Sequence, residues 1–281
     1  MFVLHVDLTP DFQRESHAVS MLDALEKDRY HRLVSVRARR QFALCRAALR
    51  VTLARRLGCA HRQLSFGYLE HGKPYARVAG RSVHSAFNVS HSGMHGLIAI
   101  SGQNCVGVDV EERAPRRDLD GIGSFVFSPE ERQLLRIATG REKVQLFYRL
   151  WSMKEALIKA LGTGFSLSPS EFEIPSPVLQ GGRSSVFRFP HLPSVAWKLQ
   201  DLGELRFAAA YACRMSPPPE ANSVRTRNRR VPPRNHPRRI PRSGASGTVI
   251  SAEISCSLRD ASCPLVLEKR ALHTRVTWEE I

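Results

Sequence analysis

The change of character at residue 215 sets the outer limit on what this chain can fold. Beyond Arg214 the sequence runs through Ser-Pro-Pro-Pro, and eight arginines then fall between positions 225 and 242 with no acid among them. Such a segment has too little apolar surface to offset the entropy of ordering it, so residues 216 to about 250 are expected to be disordered. The last thirty residues carry short apolar runs without a sustained period. A folded body must therefore come from the first 215 residues, enough for one large domain or two small ones.

That body is itself basic. It holds 30 Lys/Arg against 20 Asp/Glu, so it carries +10 of the net charge of +16. The imbalance points to an anionic partner: a phosphate-rich ligand, nucleic acid or an acidic protein. Six cysteines (Cys45, Cys59, Cys105, Cys213, Cys256, Cys263) show no CxxC pair and no metal-finger spacing. Most stand in apolar runs, where a free thiol packs as a small hydrophobe, and a reducing compartment follows. The opening MFVLHVDLTP lacks a basic n-region and reads as a first strand, and no apolar run nears the ~20 residues of a membrane span. A soluble, cytoplasmic protein is expected.

Helical periodicity covers residues 22–57 and is strongest in RRQFALCRAALRVTLARRLG, where Gly58 stops it. Strands are expected at 2–8, 65–69, 96–100 and 106–110, the last two joined through Ser-Gly-Gln-Asn as a hairpin. The stretch 87–93 reads as a loop. The second half repeats the plan. Ser128-Pro129-Glu130-Glu131 starts a helix, with Ser as N-cap and Pro at the first helical position. A helix follows over 147–161, and strands are expected at 172–174, 185–189, 195–199 and 207–213. The expected fold is α+β, of mixed α/β type: two similar subdomains related by a pseudo-twofold, each a small sheet packed with helix, followed by the basic tail. Their bounds are 1–106, 107–215 and 216–281.

Three constellations carry chemistry. In GVDVE (107–111), strand alternation sends Asp109 and Glu111 to one face and Val108 and Val110 to the core. Two carboxylates so spaced suit a hard cation such as Mg²⁺ shared with substrate phosphates; a lone DxE is more often a solvated strand edge. In FNVSHSG (87–93), hydroxyls and an imidazole offer donors to phosphate if His91 is protonated, and a glycine lets backbone approach a ligand. No acid stands where a nucleophilic triad would need one. In WSMKEALIKALGTG (151–164), Glu155 and Lys159 are one helical turn apart and share a face with Trp151. Alone they make an ordinary surface pair; beside a metal and phosphates, Glu can take a proton and Lys can neutralise a leaving phosphate. Lys154 points to another face and is expected to be structural.

GKP (72–74), FNVSHSG, GVDVE, FSPEE (127–131) and WSMKEALIKALGTG, in this order, resemble the 4′-phosphopantetheinyl transferase family, in particular its larger, pseudo-dimeric branch. The resemblance covers residues 1 to 214. It implies a magnesium-dependent transfer of the phosphopantetheine arm of coenzyme A to a serine of an acyl or peptidyl carrier protein, releasing adenosine 3′,5′-bisphosphate. By the same resemblance Asp109 and Glu111 hold Mg²⁺, and Glu155 is a further ligand or the base for the carrier serine. Lys159 stabilises pyrophosphate charge. Lys73, Ser90 and His91 bind coenzyme A phosphates, with Arg29 of the Glu-Lys-Asp-Arg run at 26–29 as a further contact. Glu131 stands where the family often has an acid near the metal. The pseudo-dimeric branch implies a monomer.

Two rival readings remain. A polyanion- or nucleic-acid-binding protein would use the arginine-rich tail, but the tail lacks interleaved aromatics and no nucleic-acid motif accompanies it. A silent carrier-binding module conflicts with the presence of every expected acid and base.

Overall fold

A computed structural model describes residues 1–69, 72–102, 105–114, 118–162, 167–216 and, for the backbone, 274–275. The compact unit built from 1–216 and 265–281 holds everything described below. The expectation of disorder over 216 to about 250 falls, apart from residue 216, outside the described residues. Beyond 216 only Thr274–Arg275 (β11) is described, pairing parallel with the first strand opposite Leu4 and His5.

The chain uses one plan twice: strand, long helix, strand, strand, with the last strand seated in the middle of its sheet. In the first half these are β1 (Phe2–Asp7), α3 (Val36–Leu57), β5 (Ala86–Ser92) and β6 (His95–Ser101), arranged antiparallel as β1-β6-β5. In the second they are β7 (Val106–Glu112), α6 (Gly140–Leu161), β9 (Trp197–Asp201) and β10 (Phe207–Arg214), arranged β7-β10-β9 with β8 (Ser184–Phe187) on the edge. The α+β fold of two repeated subdomains is thus as expected.

Several local expectations change. The periodic run 22–57 is two helices. α2 (Ala24–Arg32) begins with a capping box in which Asp23 and Glu26 satisfy each other's backbone N–H groups, and α3 restarts at the N-cap Ser35 and ends at Gly58, φ +64°. Buried Arg50 ties the two together, 2.8 Å from Glu26 and 3.1 Å from Asp23. The second long helix starts seven residues earlier than its periodicity suggests, at Gly140. Helices α1 (Phe12–Ser20) and α4 (Leu119–Val126) are additions, whereas α5 (Pro129–Ile137) starts on Ser128 as expected. Phe172 and Ile174 are buried but form no strand. A short α7 (Ser176–Leu179) follows. The sheet β2 (Leu64–Tyr68), β3 (Pro74–Val78), β4 (Arg81–Ser82) stands apart from the two repeats.

The most consequential corrections concern β5 and β6. Residues 87–93 are not a loop: Ala86–Ser92 is a full strand paired along β6, and the tight turn falls at Gly93, φ +59°. Nor do β6 and β7 form a hairpin. β6 pairs with β1 and β5 whereas β7 pairs with β10, so Ser101 and Val106 belong to two different sheets. Among the described residues no helix is long and apolar enough to cross a membrane.

Each long helix buries an apolar face on its own sheet. Leu44, Leu49 and Leu53 of α3 meet Leu4, Val6, Ile98 and Ile100; Met153, Ala156 and Leu157 of α6 meet Leu199, Ala208 and Ala210. Each buried leucine contributes about 1.5–3 kcal/mol. A third cluster, with Val3, Leu97 and Ala99 against Val108, Val110, Phe207 and Tyr211, seals the seam between the halves. The candidate acids Asp109 and Glu111 stand on β7, one of the strands of that seam.

Candidate active site

Strand β7 approaches α6 so closely that position 107 has no space for a side chain. A Cβ on Gly107 would fall 2.2 Å from Ala156 O and 2.3 Å from Ala160 N. The contact sets Asp109 beneath Lys159, whose Nζ lies 2.6 Å from Asp109 Oδ1. Ser90 Oγ donates to the same oxygen at 2.8 Å and lies 3.2 Å from Lys159 Nζ. Asp109 is 2% exposed, and its second oxygen, Oδ2, is buried with no hydrogen-bond partner. A buried unpaired carboxylate oxygen is costly, and an incoming cation would satisfy it.

Glu111, two residues along the strand, accepts a hydrogen bond from Ser92 Oγ at 2.8 Å. Glu155 is one turn before Lys159 on α6. Burial holds its carboxyl above the ordinary range; Lys159 pulls it down, while the charges of Asp109 and Glu111 push it further up. The three acids therefore feel one another across the β7–α6 contact. No cluster of three or more described His, Cys, Asp or Glu side chains forms a ready-made metal shell. Among the described residues the acids at this contact offer carboxylate oxygens, which suit a hard ion that completes its shell with water and substrate phosphate.

Strand β5 explains why FNVSHS was misread as a loop. Its side chains alternate between strand β7 on one side and a cavity on the other rather than between core and open water. Asn88, Ser90 and Ser92 face β7: Asn88 Oδ1 accepts from Val108 N at 2.9 Å, Ser90 holds Asp109, and Ser92 Oγ accepts from Glu112 N at 3.2 Å. Side chains of one strand thus satisfy the open edge of another. Phe87, Val89 and His91 face the other way. With Arg29, Phe42, Arg46 and Tyr68 they line a cavity of about 230 Å³.

In that cavity Arg29 donates to the Tyr68 hydroxyl at 3.0 Å and stands 5.2 Å from the Phe42 ring centroid. His91 keeps an edge open to solvent, yet its imidazole pKa is lowered, chiefly by desolvation. Lys159 and Arg29 push it down as well, against a favourable backbone hydrogen bond. The neutral form of the ring is thereby favoured. Lys73 is placed differently. Its ammonium donates to Lys159 O at 3.2 Å and Ala160 O at 3.0 Å, neutralising the carbonyl end of α6, and burial lowers its pKa.

Two lysines of the WSMKEALIKAL helix take opposite roles. Lys154 is 0% exposed; its Nζ lies 2.8 Å from Glu131 Oε2, donates to Pro169 O at 2.7 Å and Phe172 O at 2.5 Å, and lies over the Phe172 ring. Its structural assignment holds. Glu131 needs correction as an acid near the metal: beyond Lys154, its carboxylate accepts from Ser128 N and Ile174 N, so it caps α5 inside the core. Sequence reasoning passed over Asn88 and Gly107 and offered the Ser92 hydroxyl to phosphate rather than to Glu111, though the alternation of polar residues at 88, 90 and 92 was there to be seen. It also passed over Phe42 and Tyr68, which only the fold brings to Arg29.

A seam between two repeated α+β halves, carrying acids on a strand and a Glu/Lys pair on the facing helix, defines the class. Family models agree along the chain: one described as 4′-phosphopantetheinyl transferase, N-terminal, matches residues 8–103, and one described as 4′-phosphopantetheinyl transferase superfamily matches 105–214. The chain belongs to the 4′-phosphopantetheinyl transferase family. It is 38% identical over 148 residues to a putative 4′-phosphopantetheinyl transferase of Synechocystis sp., a match covering 52% of this chain and 59% of that one. The 4′-phosphopantetheinyl transferase HetI of Nostoc sp. is 32% identical over 166 residues, 58% of this chain and 70% of HetI. The 4′-phosphopantetheinyl transferase Sfp of Bacillus subtilis is 32% identical over 126 residues, 45% of this chain and 54% of Sfp. The matched segment thus spans between about half and 70% of these relatives.

Proposed function

We propose that the protein transfers the 4′-phosphopantetheine moiety of coenzyme A to a serine of an acyl or peptidyl carrier protein. The carrier serine oxygen attacks the phosphorus that bears the pantetheine arm. A new P–O bond forms, the pyrophosphate bridge breaks, and adenosine 3′,5′-bisphosphate leaves with the electron pair. The observation that carries this reading is the cluster of Asp109, Lys159 and Glu155 with its unsatisfied Asp109 oxygen.

Asp109 and Glu111 would hold Mg²⁺, with Glu155 beside them. When bound, the ion neutralises pyrophosphate charge and orients the phosphates. Glu155 accepts the serine proton, a role suited to a carboxyl held above its ordinary range. Lys159, already within hydrogen-bond distance of Asp109, stabilises charge on the breaking bridge. Arg29 and His91 bind coenzyme A phosphates in the cavity beside β5, and His91 takes up a proton as the anion enters. Ser90 and Lys73 reach phosphate only by sharing the partners they hold here. The basic body draws in both coenzyme A and an acidic carrier. Since both halves of the seam come from one chain, the enzyme works as a monomer, and its free thiols Cys45, Cys59, Cys105 and Cys213 suit the cytoplasm.

The test is to incubate the protein with coenzyme A, Mg²⁺ and several apo-carrier proteins and weigh each carrier. A mass gain of one phosphopantetheine arm is expected, and its loss in Asp109→Ala and Glu155→Gln. No gain on any carrier overturns the reading, and stronger salt-dependent affinity for DNA than for coenzyme A would favour a polyanion-binding role.

A further inference from the structure

We propose that Ser92 is a positioning residue that fixes Glu111 for the metal, an inference that rests on reading Asp109 and Glu111 as metal carboxylates. Ser92 Oγ donates its only proton to Glu111 Oε2 at 2.8 Å and accepts the Glu112 backbone N–H at 3.2 Å. Acceptance from the backbone sets the hydroxyl's direction, and donation then selects one orientation of a side chain with three rotatable bonds.

The serine is itself held in place. It ends β5 immediately before the Gly93 turn, and Gly93 O accepts from buried Gln41 Nε2 of α3 at 2.9 Å. Gly93 has φ +59°, and a Cβ there would fall 2.0 Å from Glu112 Oε2, so the turn and the end of β7 are packed against each other. A contact thus runs from α3 through Gln41, the turn and Ser92 to Glu111. Ser90 does the same for Asp109 one strand-repeat earlier. A carboxylate oriented by a fixed donor meets an ion without first losing rotamer freedom, and loss of such a partner commonly weakens metal binding about 10- to 100-fold.

The experiment titrates Mn²⁺ into the full-length protein with coenzyme A, following free Mn²⁺ by electron paramagnetic resonance. Coenzyme A binding without metal and thermal melting are measured alongside. Ser92→Ala is expected to weaken Mn²⁺ by about 10-fold or more, with metal-free coenzyme A affinity and melting little changed. Ser92→Thr, which keeps the hydroxyl, is expected to restore most of the loss, and Ser92→Cys, a weak donor, to fall between. Unchanged Mn²⁺ affinity in Ser92→Ala overturns the proposal. So does a loss matched by coenzyme A affinity and melting, or a folded Ser92→Thr that restores nothing. Glu111→Ala is the control: if it binds Mn²⁺ like the native protein, the metal reading of Glu111 falls and the role of Ser92 falls with it.

Discussion

The ammonium of Lys154 lies 2.8 Å from the carboxylate of Glu131, each side chain about 1% exposed, while Lys159, five residues on, makes its ion pair with Asp109 at the rim of the candidate site. One helix thus holds one lysine inside the core and one, proposed for chemistry, at the candidate site. Lys154→Met leaves the Glu131 carboxyl group buried without its cationic partner, and urea denaturation should show a loss of about 3–5 kcal/mol. Transfer per folded molecule should remain near native, because Lys154 touches neither Asp109 nor Glu155. For Lys159→Met the pattern reverses, with a folded protein whose turnover collapses.

Gly107→Ala tests the β7–α6 contact. A methyl group there meets backbone atoms of Ala156, Lys159 and Ala160, which cannot rotate aside. The strand and helix must separate, at a cost of about 1–3 kcal/mol. Since Asp109 rides on the strand and Lys159 on the helix, turnover should fall as well, even at temperatures where the variant is fully folded. Melting curves and the carrier mass assay check both.

Glu155→Gln is expected to trade activity for stability. Burial and two neighbouring acids raise the Glu155 pKa in the folded protein. Its contribution therefore favours folding below the ordinary carboxylate value and is lost as pH rises from there through the raised folded value. Glutamine has no such loss. The melting temperature of the variant relative to native should climb over that interval and stay high at neutral pH, where the variant is inactive. A gap that stayed flat with pH would show that Glu155 is not electrostatically strained.

Lys73→Ala should lower the melting temperature even without coenzyme A, because two carbonyls at the end of α6 lose a charged donor worth about 1.5–3 kcal/mol per hydrogen bond. A residue waiting only for phosphate would leave melting unchanged and raise the coenzyme A KM alone.

Much of this site was legible because its chemistry follows local period. Alternation in GVDVE puts Asp109 and Glu111 on one face, and helical spacing in WSMKEALIKAL separates Lys154 from Lys159. FNVSHS defied the same logic. Strand patterns are recognised by polar residues facing water, and in β5 Asn88, Ser90 and Ser92 are turned against β7 instead. The false hairpin over 96–110 has a related cause: a short linker with turn-forming residues looks alike whether its strands pair or part into two sheets. Glu131 shows the limit of analogy by position, since its carboxylate is consumed by Lys154 and two backbone amides.

Because β5 serves both halves through alternate side chains, the first half cannot be exchanged as a module. A chimera joined to a relative within residues 86–112 would mate the polar row of one parent to the strand edge of the other. A one-residue slip of β5 would present Phe87, Val89 and His91 to β7 and turn Ser90 and Ser92 into the cavity beside Arg29. Crossovers made before residue 86 or after 112 keep row and edge from one parent, so recombination of this protein has a protected interval whose bounds are those of a shared strand rather than of a domain.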